Sequence, residues 1–130
     1  MRLEITRKTD LALRVLRALE GQGRVGRKEL ASQAGTTPGF LARVMSPLVK
    51  AGLVESKPGL AGGYELVGDT CAISVLNLIE LMEGPVINGR CVLQGGECPA
   101  DGTCSLHTAW SRAREALMEE LDATTVANCE

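Results

Sequence analysis

The sequence is poor in aromatic side chains, with one Phe, one Tyr and one Trp in 130 residues. A core must therefore be assembled from Leu, Val, Ile, Ala and Met, residues that suit packed helices. Histidine is scarcer still, with His107 the single copy. It has no serine and carboxylate partners in a catalytic pattern, and the chain has no glycine-rich phosphate loop, which argues against an enzyme. No apolar run approaches the roughly 18 residues of a membrane span, and no charged, apolar and small-residue series opens the chain as a secretory leader would. These absences predict a cytoplasmic protein without a membrane partner. Five cysteines is an odd number, and outside a secreted setting a disulfide framework ranks behind metal ligation.

The length suits one ordinary domain, able to bury roughly two thirds of the surface its unfolded chain exposes. The net charge of −2 conceals an asymmetry. Residues 1–70 carry 11 Lys or Arg against 7 Asp or Glu, a balance of +4, whereas residues 71–130 carry 3 against 9, a balance of −6. A basic front half fits a polyanionic partner.

Three of the cysteines and the histidine fall in one stretch, CVLQGGECPADGTCSLH, from Cys91 to His107. Gly95, Gly96, Gly102 and Pro99 keep it from forming a helix, and it has few apolar residues to bury. Fixing such a loop costs roughly 1–2 kcal/mol of backbone entropy per residue. Thiolate ligation to a metal would order it, and the glycines would let the sulfurs converge. Cys91, Cys98, Cys104 and His107 could make a structural zinc site. The same thiolates suit an iron–sulfur cluster whose fourth position is held by a ligand other than cysteine. Spacing alone leaves both open. Cys71 reads as a small core residue, and Cys129 falls in a fraying tail.

Ahead of that loop, TRKTDLALRVLRALE (6–20) places Ala12, Val15, Leu16 and Leu19 on one helical face after a Thr6 cap. RKELASQAG predicts a short helix with Leu30, Ala31 and Ala34 inward and Gly35 as its left-handed stop. Thr37 then caps a third helix with Pro38 at its first position and Leu41, Val44, Met45 and Leu48 inward. Pro47 predicts a kink or early end in that helix. LVESKPGLAGGYELV has β-prone runs, Leu53 and Val54 before a Pro and Gly turn and Tyr64, Leu66 and Val67 after it, which predict a hairpin. Helix, turn, helix and hairpin is the order of a winged helix-turn-helix, whose second helix enters the major groove. This places Thr36, Thr37, Gly39, Phe40 and Arg43 near base edges and Arg2, Arg7, Lys8, Lys28 and Lys57 near phosphates of double-stranded DNA.

Ser74 caps a bracing helix through Met82, stopped by Gly84 and Pro85. After the cysteine loop, Ser105 can cap a long helix with Leu106, Ala109, Trp110, Ala113, Ala116, Leu117 and Leu121 in one stripe. A late, single-striped helix beyond a DNA reader suits a homodimer interface, here Trp110, Ala113, Leu117 and Leu121, and dimers read palindromic operators. The expected architecture is mainly α with a small β-hairpin, a winged helix-turn-helix plus a long C-terminal dimerisation helix. Its expected divisions are 1–84 for the DNA reader and bracing helix, 85–104 for the cysteine loop, and 105–130 for the dimerisation helix and tail, within one compact domain.

MRLEITRKTDLALR, AGLVESKPGLAGGYEL, SVLNLIELMEG and the Cys91, Cys98, Cys104 series together resemble the winged-helix iron–sulfur transcription regulators of the IscR/NsrR type, over nearly the whole chain. The resemblance implies crossing dimer helices and a two-iron or four-iron cluster on the three cysteines, whose state alters operator binding and so repression. The signal would be nitric oxide, redox state or cluster supply. The runner-up is a zinc-stabilised nucleic-acid binder without a sensing cluster. Pro58 stands where the family's wing usually has arginine, Ala42 where its recognition helix often has an acid, and the Cys91–Cys98 spacing is slightly long.

The resemblance divides over the fourth ligand. Cys104-Ser-Leu-His107-Thr-Ala-Trp110 looks like the cluster regulator, where the histidine ligates, and one helical turn separates His107 from Cys104. Thr9-Asp10-Leu-Ala-Leu-Arg14 looks like the nitric-oxide sensor, where the aspartate reaches the cluster from the other subunit. A hard carboxylate would leave one iron open to a diatomic ligand. Asp10 could instead merely favour the positive end of the first helix, and His107 merely cap the last.

Overall fold

The computed structural model describes residues 3–87 and 105–128. Helix α1, Arg7–Leu19, begins at Thr6, whose side chain accepts a hydrogen bond from the Thr9 amide, and buries Thr9, Leu11, Ala12, Val15, Leu16 and Leu19. Helix α2, Arg27–Ala34, ends at Gly35 in the left-handed conformation, φ 73°, where glycine alone escapes a Cβ clash. Helix α3, Pro38–Lys50, is capped by Thr37 and buries Leu41, Val44, Met45 and Leu48. The predicted faces of all three helices are therefore the buried ones.

Pro47 does not end α3, which continues to Lys50. Its ring removes one backbone bond, at a cost of about 3 kcal/mol in a helix interior. Leu48 beyond it is fully buried with Leu41, Val44 and Met45 before it, and burying such side chains contributes about 1.5–3 kcal/mol each. Burial outweighs the lost bond.

Strands β1, Val54–Lys57, and β2, Gly63–Leu66, pair antiparallel with Val54 opposite Leu66 and Lys57 opposite Gly63. The wing is fastened close to its turn, at Tyr64, by a feature the sequence reading missed. Val25, between α1 and α2, exchanges two backbone hydrogen bonds with Tyr64, of 2.9 and 2.8 Å. Gly63 makes this approach possible: a Cβ there would lie 2.1 Å from the Val25 carbonyl oxygen, and its φ is +132°.

Helix α4, Val75–Glu83, is capped by Ser74, and Gly84 follows it. Helix α5, His107–Ala123, begins later than expected. Leu106 occupies the cap position in a helical conformation without a side-chain cap bond, so Ser105 lies one residue too early to serve. Cys71 is a second correction. It is exposed in a 3₁₀ turn over Thr70–Ala72, and the buried place belongs to Thr70. Asp69 hydrogen-bonds and faces the Cys71 thiol, and with lesser contributions from desolvation and Glu20 raises its pKa, which disfavours the reactive thiolate. Val126 is fully buried in a 3₁₀ turn over Val126–Asn128, and its amide bonds the Ile73 carbonyl at 2.9 Å; Cys129 lies outside the described residues.

Replacing Gly63 by alanine should destabilise the fold by about 1–3 kcal/mol through strain and collision with Val25. Val126→Ala should cost about 2 kcal/mol by opening a cavity. Both are read as shifts in the midpoint of urea unfolding at unchanged slope, and an unshifted midpoint for Val126→Ala contradicts the tail's place in the core.

Candidate nucleic-acid interface and metal centre

The start of α3 is a capped, exposed and positive helix end. Thr37 spends its side-chain oxygen on the Phe40 amide at 3.2 Å, and the first turn contains no acid that would offset the positive helix end. Thr37, Gly39 and Arg43 are exposed along this end, and Thr36 is half-buried. Phe40, expected near base edges, is partly exposed and packs in part against the core.

Helix α2 contributes a second positive end. Gly26 at its cap has no side chain to satisfy the first-turn amides, and Arg27 and Lys28 follow in that first turn with Glu29, which leaves the turn one positive charge in excess. Positive side chains at a positive helix end are unfavourable unless an anion is nearby. This end lines an open cleft of about 760 Å³ with the wing, whose walls include Arg27, Lys28 and Lys57. Arg7 and Lys8 are exposed in the first turn of α1; Arg2 lies outside the described residues. Glu55 and Glu65 face one another across the hairpin, but Arg24 pairs with Glu65 at 3.2 Å, which limits repulsion of a polyanion there.

Cys91, Cys98 and Cys104 also lie outside the described residues. Among the described residues no group of three or more His, Cys, Asp or Glu side chains comes together. The ends of that loop are placed. It leaves α4 at Glu83 and enters α5 at His107, and α4 and α5 pack together. His107 is half-buried at the first turn of α5. Asp10 is partly exposed in the first turn of α1 and forms an ion pair with Arg14 at 2.9 Å.

One residue absent from the sequence expectations links these parts. The Glu83 carboxylate accepts from the Thr6 amide at 3.1 Å, from the Thr6 hydroxyl at 3.3 Å and from the Thr9 hydroxyl. The last residue of α4 thus holds the first turn of α1, one residue from Asp10. A signal was available in the sequence: Glu80 and Glu83 lie at the negative end of a helix with no basic residue in its last turn, an unfavourable place unless each carboxylate has a donor. Glu80 has its own, the Val86 amide at 2.9 Å.

A helix-turn-helix with a fastened hairpin, a positive helix end at α3 and a cleft rich in basic residues is the architecture of a winged-helix DNA-binding transcription regulator. The comparisons give the particular family. A profile described as Rrf2, iron-dependent transcriptional regulator, matches residues 5–129, and the chain belongs to that family. It is 36% identical to the HTH-type transcriptional regulator CymR of Bacillus subtilis over 106 residues, 82% of this chain and 72% of that protein. It is 32% identical to the HTH-type transcriptional repressor NsrR of Streptomyces coelicolor over 131 residues, 97% of this chain and 87% of that one. Among solved structures, CymR, the global cysteine regulator of B. subtilis, superposes with TM-score 0.78 at 31% identity, covering 98% of this chain and 95% of the other. IscR of T. potens superposes with TM-score 0.71 at 26% identity, covering 97% and 85%. No described helix is long and apolar enough to cross a membrane.

In mobility shifts, Arg43→Ala should weaken operator binding and relax base preference at one position by about 1–3 kcal/mol. Lys57→Ala should weaken all sequences evenly and reduce the salt slope by about 1. If Arg43→Ala leaves both affinity and preference intact, α3 has been set in the wrong groove.

Proposed function

We propose that this chain is a homodimeric repressor whose grip on a palindromic operator is controlled by an iron–sulfur cluster on Cys91, Cys98 and Cys104, with Asp10 or His107 as the fourth ligand. The observation that carries this reading is the Glu83 clamp. The segment holding the three cysteines leaves directly from the residue that holds the first turn of α1, and α1 packs against α2 and α3. A rearrangement between α4 and α5 therefore bears on the DNA-reading helices through Glu83, Thr6 and Thr9. The donor set fits such a group: three thiolates plus a carboxylate or imidazole suit iron. When bound, it would supply iron that responds to nitric oxide, redox state or cluster supply. The likeness to NsrR and IscR supports this choice over a zinc site of three cysteines and His107.

In the proposed division of labour, residues 1–84 read DNA with Thr36, Thr37, Gly39 and Arg43 toward bases and Arg2, Arg7, Lys8, Lys28 and Lys57 toward phosphates. Residues 85–104 hold the cluster, and 105–130 dimerise in a cytoplasmic protein. Support for a dimer comes from α5, none of whose residues is buried. Ala113 and Leu117 are exposed, with Trp110 and Leu121 half-buried beside them, and a second copy would cover that stripe. The likeness to a global cysteine regulator supports a second reading, in which this fold responds to cysteine supply.

Protein purified without oxygen should be brown, with iron and sulfide in matching amounts; a colourless protein with stoichiometric zinc removes the cluster. Asp10→Ala and His107→Ala should differ, the variant lacking the true ligand showing an altered cluster spectrum and altered nitric-oxide reactivity. If both match wild type, the fourth place belongs to neither. Ala113→Glu or Leu117→Glu should give monomers or aggregates in sedimentation with poor operator binding, and an unchanged dimer contradicts the α5 interface.

A further inference from the structure

The wing ends in an apolar apex. The Gly62 amide bonds the Gly59 carbonyl at 3.1 Å, which makes Leu60 and Ala61 the central residues of the turn. Both are exposed, and Leu60 is fully so. Single exposed leucines are ordinary on protein surfaces; the placement of this one is not. The turn is tightly closed, since a Cβ on Gly62 would lie 2.1 Å from the Lys57 carbonyl oxygen, and the hairpin beneath it is pinned to Val25. The leucine is thus held out from the body on a short, fastened arm. From Pro58 to Tyr64 the chain carries no charge, and Leu60 stands at the rim of the cleft that it lines together with Arg27, Lys28, Glu29 and Lys57. An apex meant to grip phosphate would be cationic, and one meant only for water would be polar.

Resting on the DNA-binding reading, we infer that Leu60 is a specificity-determining wedge, which enters the minor groove beside the major-groove site of α3 and reads how easily the base step there opens. Apolar side chains in the minor groove act by partial insertion between base pairs, at an unstacking cost that depends on the step. Pyrimidine–purine steps such as TA and CA open most readily, so discrimination arises without a hydrogen bond to any base. The basic cleft supplies the accompanying, sequence-independent hold on the backbone. A cationic tip would favour a narrow, rigid A-tract; a leucine favours a flexible step.

The test begins by selecting duplexes from a random pool with the wild-type protein. It should enrich pyrimidine–purine steps at two positions symmetric about the operator centre, outside the α3 contacts. Replacing such a step by a stiff one, TA by AA, should weaken wild-type binding about tenfold. Leu60→Ser should bind both duplexes alike at the weaker level, bend the DNA less in a fluorescence-transfer assay and keep the wild-type salt slope. Leu60→Met, still apolar, should retain the preference. Leu60 is exposed, so these variants should fold normally, as circular dichroism would show. If Leu60→Ser keeps the tenfold ratio, or if the wild type shows no step preference, the wedge is overturned while DNA binding stands. If Leu60→Ser changes only sedimentation, the tip contacts protein and the proposal fails. If the wild type selects no duplex at all, the DNA-binding reading falls together with the wedge.

Discussion

The aliphatic face of α1 carries Leu11, Ala12, Val15, Leu16 and Leu19 into the interior, and α2, α3, α4, strand β2 and the C-terminal turn all pack against that helix. Burying a Leu or Val contributes about 1.5–3 kcal/mol, so these few side chains weigh heavily against a typical net stability of about 5–15 kcal/mol. Helix α1 cannot slide alone without opening the core around it. Its N-terminus is where Glu83 takes hold, through Thr6 and Thr9.

The polar features are arranged around that constraint. Two carboxylates stand at the negative end of α4, an arrangement that disfavours an isolated helix. Each is reconciled by an amide donor outside the helix: Glu83 at the start of α1, and Glu80 at Val86. The N-terminal end of α2 lines a cleft with the wing, where Arg27, Lys28 and Lys57 gather. The same helix-dipole physics thus seals the internal joint and leaves the external face ready for phosphate.

The helix-turn-helix was legible because its signals are local. Thr6, Thr37 and Ser74 cap the helices they were expected to cap, and the stripes of α1 to α3 are the buried faces. Where expectation failed, a distant contact had overridden a local preference. Pro47 stays helical because Leu48 is held in the core. Cys71 faces solvent because Thr70 takes the inward place.

By itself, the sequence determined the element order, the helical faces, the family resemblance and the clustering of three cysteines with His107, all properties of spacing along the chain. Only the tertiary structure decided what meets across it. The Val25–Tyr64 pairing, the Gly63 approach, the Glu83 hold on Thr6 and Thr9 and the outward Leu60 join or separate residues by geometry that no periodicity encodes. The physical reason is that capping and amphipathic patterning act within a few residues, whereas these features depend on how packed helices orient one another, and that orientation is set by the shape of the whole core.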